Sequence, residues 1–324
     1  MSFEGLLGQP VAARILTLAL ERGQVHHAYR FEGPDGVGKE RAAFALAQAL
    51  VCSQPTPRRL ACGSCSACRR ASSFSAEEPI VPLHPDVILV ARGLYSKTLG
   101  KSESNGISVQ QIREVVLSRA GFSPHEGQAL VFIIRDAHEL TLQAANALLK
   151  TLEEPPPATH FILLTDSPGR MLDTIRSRTL AVRFGPLPDS VIARILEARG
   201  VDAGVARFAG GSASRALDLS DVELSERRAE FVENIKRALQ APDLGAAISG
   251  LDLRNKDRRE LRQELAFLGH SLAERARVVV SKDPAAAEKA ARRYAAVTES
   301  MAALEQNASP ALTVESLIAT LRRG

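Results

Sequence analysis

The chain has 324 residues, of which 45% are hydrophobic and 24% charged. That ordinary globular composition excludes a wholly disordered, collagen-like or low-complexity chain. No run approaches the roughly 18 apolar residues of a membrane span. The N-terminus, MSFEGLLGQP, lacks the basic flank and long apolar core of a signal peptide, so a cytoplasmic protein with no membrane partner is expected. The length predicts about two domains, with three small ones compatible. Net charge is +4, from 41 basic and 37 acidic residues. From Asp221 onward there are 17 Lys/Arg against 16 Asp/Glu. A stand-alone DNA binder carries a more concentrated basic stripe. The one concentration lies in residues 51–72, where Arg58, Arg59, Arg69 and Arg70 occur with no acidic residue. It reads as a solvated basic rim, or as a surface for phosphate or an acidic partner.

In chain order, residues 10–22 predict a helix: Pro10 suits its first turn, Val11, Ile15 and Leu18 share a face, and Gly23 can end it. Residues 28–32 predict a short strand. A Gly-rich turn follows, then an Ala- and Leu-rich helix over 39–51. Residues 86–91 (DVILVA) form a buried-strand run. A helix is expected over 108–119, with Ser108 and Gln111 as a capping box. Residues 129–134 (ALVFII) predict another buried strand, and 140–153 a helix stopped by the prolines at 155–157. Strands follow at 160–165 and 180–184, with a turn or helix opening at Ser167-Pro168. Loops are expected over 68–84 and 93–106.

Continuous apolar strands separated by helices indicate an α/β domain with a parallel sheet covered on both faces. Pro186 and Pro188 mark a boundary. Short helices are expected over 191–219, broken at Gly210-Gly211. The pattern from Asp221 onward is almost purely helical.

Gly33-Pro34-Asp35-Gly36-Val37-Gly38-Lys39-Glu40 follows a predicted strand and opens a predicted helix. It fits the G-x-x-x-x-G-K of a phosphate-binding loop. Gly33, Gly36 and Gly38 let backbone N–H groups wrap a phosphate, and Lys39 can reach the outer phosphates. The next position should carry a hydroxyl for Mg²⁺, and it is Glu40. A second apolar strand should end in Asp-Glu, but Arg135-Asp136 follows Ile134. Phosphoryl transfer depends on metal neutralisation and a positioned water. Two altered metal-supporting positions argue against tight ATP binding, and strongly against hydrolysis.

All four cysteines lie together: Cys52, Cys62, Cys65 and Cys68, in the spacing C-x9-C-x2-C-x2-C. Four thiolates at this spacing predict a closed, structural Zn²⁺ site with no open position for a catalytic water. An iron–sulfur cluster and free redox thiols are the alternatives.

These residues carry a resemblance. Gly8-Gln9, His26-His27-Ala28-Tyr29, the 33–39 loop, the four cysteines and His84-Pro85-Asp86 belong to it. So do the run Ala144-Ala145-Asn146-Ala147-Leu148-Leu149-Lys150-Thr151-Leu152-Glu153-Glu154-Pro155-Pro156, residues 161–165, and Ile175-Arg176-Ser177-Arg178. Over almost all of the first domain the chain resembles the delta prime family of bacterial DNA polymerase III clamp-loader subunits, which are AAA+ proteins. Beyond Pro188 the likeness rests mainly on residues 211–217. The resemblance implies a P-loop AAA+ domain over 1–186 with the cysteine module inserted at 52–68. A small helical lid at 187–220 and an all-α collar at 221–324 would follow. It further implies a non-motor subunit that helps load a sliding clamp on primed DNA. Its partners would be motor subunits of the tau/gamma type and a delta subunit, in a hetero-pentamer.

The family's Ser-Arg-Cys motif reads Ser177-Arg178-Thr179 here. Arg178 would be an arginine finger for a neighbouring subunit's ATP site, with Ser177 beside it, while Thr179 need only pack. Thr165 matches a sensor position and Arg215 a lid arginine, both read as inherited structure. The rival readings are an ATP-hydrolysing motor-type subunit and a zinc-bearing nucleic-acid-binding protein.

Overall fold

The computed structural model describes residues 3–100, 106–249, 258–305 and 308–323. The chain divides into two compact units, Met1–Ala216 and Leu217–Gly324.

The first unit is built on a five-stranded sheet: β1 (Ala28–Glu32), β2 (Val87–Val90), β3 (Leu130–Ile134), β4 (Thr159–Thr165) and β5 (Leu180–Arg183). The strand order is β2-β3-β4-β1-β5, and every pairing is parallel. β1 lies between β4 and β5, with Tyr29 opposite both Ile162 and Leu180. Period-two alternation divides the apolar residues between the faces. Ile88, Val90, Phe132, Ile134, Phe161 and Leu163 join one core with Ile112, Val116, Leu148 and Leu152. The intervening Leu89, Val131, Ile133 and Ile162 are also buried, and the helix Lys39–Val51 packs on β3 and β4. Each fully buried Ile, Leu or Phe contributes about 1.5–3 kcal/mol. The predicted strands are thus present with ends shifted by a residue, as burial on both faces demands.

Several local expectations change. The first helix, Pro10–Glu21, buries Ala12, Leu16 and Leu20, whereas Val11 and Ile15 are exposed. Leu18, the third residue of the predicted stripe, is half-buried. Ser108 caps its helix by accepting from the Gln111 N–H at 3.2 Å. The Gln111 side-chain amide donates to Ala91 O at 2.8 Å. Within that helix Ile112–Leu117 is wound as π-helix. The loop expected at 68–84 begins later, since Ser66–Ala71 is helical. Of the second expected loop, 101–105 lies outside the described residues.

Asp86 is an anchor for the chain that leads into β3. Its carboxylate accepts the N–H groups of His125, Glu126 and Gly127 at 2.6, 2.8 and 2.7 Å. Burial opposes the charge, but these three donors outweigh it and hold the carboxyl below its ordinary range.

The second unit contains the helices Val222–Gln240, Leu244–Ser249, Arg258–Val279, Pro284–Glu305 and Pro310–Arg323. Phe231, Ile235, Leu261, Leu265, Val297, Leu317 and Ile318 form its core. Arg322 donates to Ala238 O and Ala241 O, both at 2.7 Å. It thereby satisfies carbonyls at the end of the Val222–Gln240 helix, where a cation is electrostatically favoured. Among the described residues no helix is long and apolar enough to cross a membrane.

Candidate functional site

The Gly-rich turn leaves the C-terminal end of β1 and opens the helix Lys39–Val51. In parallel α/β sheets this end of the strands is where ligands bind. Gly36 and Gly38 have φ of 70° and 100°, conformations that favour glycine. The Gly-rich turn thus lies between a strand and a helix as expected, and its charged groups are engaged within the chain. Lys39 is buried, and its Nζ donates to Gly33 O and Pro34 O at 2.7 and 2.6 Å. Burial pushes its ammonium below the usual range, against the pull of Asp35, Asp166 and Asp136. Ser212 and Ser214 hydroxyls occupy the space a Cβ on Gly36 would take. The Ala213 N–H donates to Gly36 O at 2.9 Å.

The two departures from the phosphate-loop pattern turn out to be partners. Arg135 Nε donates to Glu40 Oε2 at 3.1 Å, and Nη2 donates to Glu40 Oε1 at 2.5 Å. This is a two-pronged guanidinium–carboxylate pair. Read separately, the residues are two losses; together they are a charge-balanced replacement. Asp136 takes the left-handed backbone conformation, φ 49°, and burial raises its carboxyl pKa. Thr165, fully buried, accepts the Ser167 N–H at 3.1 Å and lies 3.2 Å from His138 Nδ1.

At the far end of the Lys39–Val51 helix, Cys52 begins the cysteine module. Cys52, Cys62, Cys65 and Cys68 have sulfurs all within 4.8 Å of one another. Two Sγ–Sγ separations are 3.9 and 4.0 Å. A disulfide needs about 2.05 Å. Four sulfurs at about 2.3 Å from one Zn²⁺ stand roughly 3.8 Å apart, so the donor set fits a single tetrahedral ion. A cluster with several irons between its thiolates needs a wider cage. Backbone N–H groups of Cys62, Cys65 and Cys68 donate to Cys52, Cys62 and Cys65 Sγ at 3.4, 3.3 and 3.4 Å, the environment a bound thiolate requires. Burial pushes the Cys52 and Cys68 thiols up. At Cys65 burial also opposes ionisation, but hydrogen bonds from Ser53 and the Cys68 N–H bring the thiol down to about 5. The basic rim is largely used internally. Arg58 pairs with Glu21, Arg70 with Glu126, and Arg69 donates to Ser64 O.

Arg178 stands at the other end of β1, just before β5. Its Nε donates to Glu153 Oε1 at 2.6 Å, and Nη2 completes an ion pair with the same carboxylate. Its Nη1 donates to Thr174 O at 2.9 Å and Ser177 Oγ at 3.1 Å. Thr179 does more than pack. Buried Arg30 on β1 donates from Nη1 to Thr179 Oγ1 at 2.5 Å and to Arg176 O at 2.8 Å. Thr179 Oγ1 in turn donates to Ile175 O at 2.9 Å. Arg30 and Glu153 were not singled out by motif reasoning. Glu153 lies inside the run that carries the resemblance, while nothing local marks Arg30, whose role depends on β1 lying beside β5. A cavity of 610 Å³ beside Arg178 is lined by His26, His27, Leu152, Glu153, Ser177 and Thr179, among others.

A parallel sheet in this order, with a phosphate loop leaving β1 and a separate helical unit, defines a P-loop AAA+ protein. A gamma-subunit-related DNA polymerase III protein of Thermotoga maritima has the same fold. It matches 95% of this chain and 99% of its own, with a TM-score of 0.50 at 16% identity. Residues 8–188 match the family described as DNA polymerase III, delta subunit, and the chain belongs to that family. Its relatives include the DNA polymerase III subunit delta' of Bacillus subtilis, 32% identical over 237 residues, covering 72% of this chain and 63% of the relative. The gamma/tau subunit of Mycobacterium tuberculosis H37Rv is 36% identical over 231 residues, covering 68% and 36% respectively. The chain thus spans between about a third and two thirds of these relatives' lengths.

Proposed function

We propose that this chain is a non-motor subunit of a DNA polymerase III clamp loader, acting in the cytoplasm. In this reading it assembles with tau/gamma-type motor subunits and a delta subunit in a hetero-pentamer that loads a sliding clamp on primer-template DNA. Residues 1–186 are the AAA+ domain, 187–220 the lid and 221–324 the collar. Cys52, Cys62, Cys65 and Cys68 hold a structural Zn²⁺, which ties the end of the Lys39–Val51 helix to the helix Ser66–Ala71. The chain does not hydrolyse ATP, and Arg178 supplies a cation in trans to the phosphates of a neighbour's ATP, with Ser177 orienting it.

The observation that carries this reading is the Glu40–Arg135 pair. It supports the reading that a salt-bridged guanidinium takes the place of the metal that phosphoryl transfer needs. The engagement of Lys39 by its own loop supports the same conclusion for Gly33, Gly36 and Gly38 as a phosphate cradle without turnover. The test is reconstitution with gamma/tau-type and delta subunits. Arg178→Ala should leave assembly intact and lower the DNA-stimulated ATPase, by about two-fold or more. The best arginine fingers give about 10³–10⁵, and several ATP sites in one ring dilute the loss of one. ATP turnover by the isolated chain that disappears in Lys39→Ala would favour the motor-type reading instead.

A further inference from the structure

Resting on the proposed role of Arg178, we infer that Glu153 is a positioning residue: it holds the finger in the unassembled chain and yields it to the triphosphate of a neighbour's ATP. Every nitrogen of the Arg178 guanidinium is engaged within its own chain: Nε and Nη2 by Glu153, and Nη1 by Thr174 O and Ser177 Oγ. An arginine committed in this way must exchange partners before it can contact a phosphate.

The geometry makes that exchange local. The backbone under the finger is fixed from below by Arg30, which is 7% exposed and grips Arg176 O and Thr179 Oγ1. Only the side chain has to move. The Arg178 and Glu153 side chains are 32% and 46% exposed, so the pair is solvent-screened and weak. A triphosphate offers more charge and more acceptor oxygens than one carboxylate. The pair lines an open depression of about 610 Å³, so a ligand can reach it from solvent.

Glu153 is also badly placed for its own helix. It is the last residue of Leu142–Glu153, where the helix dipole disfavours an anion. Arg178 offsets that charge in the lone chain. When the finger leaves for a phosphate, the carboxylate is left without its counter-charge, which opposes the exchange. Glu153 therefore sets how readily the finger engages, without contacting the reacting atoms.

The experiment measures Mg-ATP turnover of the chain reconstituted with a gamma/tau-type subunit, without DNA. Wild type is compared with Glu153→Gln, Glu153→Asp, Arg178→Ala and Arg178→Ala/Glu153→Gln, each checked for assembly and melting midpoint. The expected result is a rise of about two- to five-fold in unstimulated turnover for Glu153→Gln, the scale of a half-exposed ion pair. Glu153→Asp should return toward wild type. The rise should vanish in the Arg178→Ala background. If Arg178→Ala lowers turnover while Glu153→Gln leaves it unchanged or lower, Glu153 is not the latch and the finger stands. If Arg178→Ala has no effect, the finger reading fails and the latch with it.

Discussion

The two ends of β1 carry the two candidate sites, and they differ in how charge is satisfied. At the C-terminal end, Lys39 is buried against its own loop carbonyls, and Glu40 and Arg135 neutralise one another. At the start of β1, Arg178 is paired to a half-exposed carboxylate over a backbone clamped by Arg30. At the first, the buried cation is answered by carbonyls of its own loop, beside a half-exposed ion pair. At the second, the cation that the proposed function uses is itself held by a half-exposed carboxylate.

The largest test of this contrast lies in the cysteine module, which braces the loop end through the Lys39–Val51 helix. Cys62→Ser/Cys65→Ser should abolish the expected one zinc per chain. It should lower stability, because the free energy of binding a structural zinc is folding free energy. Metal analysis and thermal unfolding read both. The account also requires that this variant still show the Arg178-dependent effect if it assembles.

At the finger end, Thr179→Val removes the hydroxyl that accepts from buried Arg30 and donates to Ile175 O. Leaving part of a buried guanidinium unsatisfied costs about 1–3 kcal/mol. Denaturant unfolding should show that loss, and finger-dependent ATPase should fall with it. A neutral outcome would mean that the clamp is not what positions Arg178.

The smallest stability effect is expected at the Glu40–Arg135 pair, whose side chains are 40% and 38% exposed. Arg135→Ala should cost about 1 kcal/mol or less. Its informative readout is nucleotide binding. The exchange Glu40→Thr/Arg135→Asp restores both metal-supporting groups and should introduce Mg²⁺-dependent ATP affinity absent from the wild type. If wild-type binding is already tight and Mg²⁺-dependent, the pair does not close the site.

The strands were legible because continuous apolar runs admit few alternatives in a two-faced sheet. The phosphate loop and cysteine spacing were legible because their chemistry is local: glycines at positive φ, and three of the four cysteines at three-residue intervals. The partnerships were not. Arg135 and Glu40 are 95 positions apart, Arg30 and Thr179 are 149, and each pair is set by strand order. The outward stripe of Val11 and Ile15 escaped prediction for a related reason, since amphipathic period alone cannot distinguish a core face from an exposed apolar one.

The central claim is that this chain acts through Arg178 and not through its own phosphate loop. It is tested most directly by measuring DNA-stimulated ATPase of the reconstituted complex with Arg178→Ala and, separately, with Lys39→Ala. The account predicts a loss for Arg178→Ala and wild-type turnover for an assembled Lys39→Ala complex. Loss with Lys39→Ala and none with Arg178→Ala would contradict it.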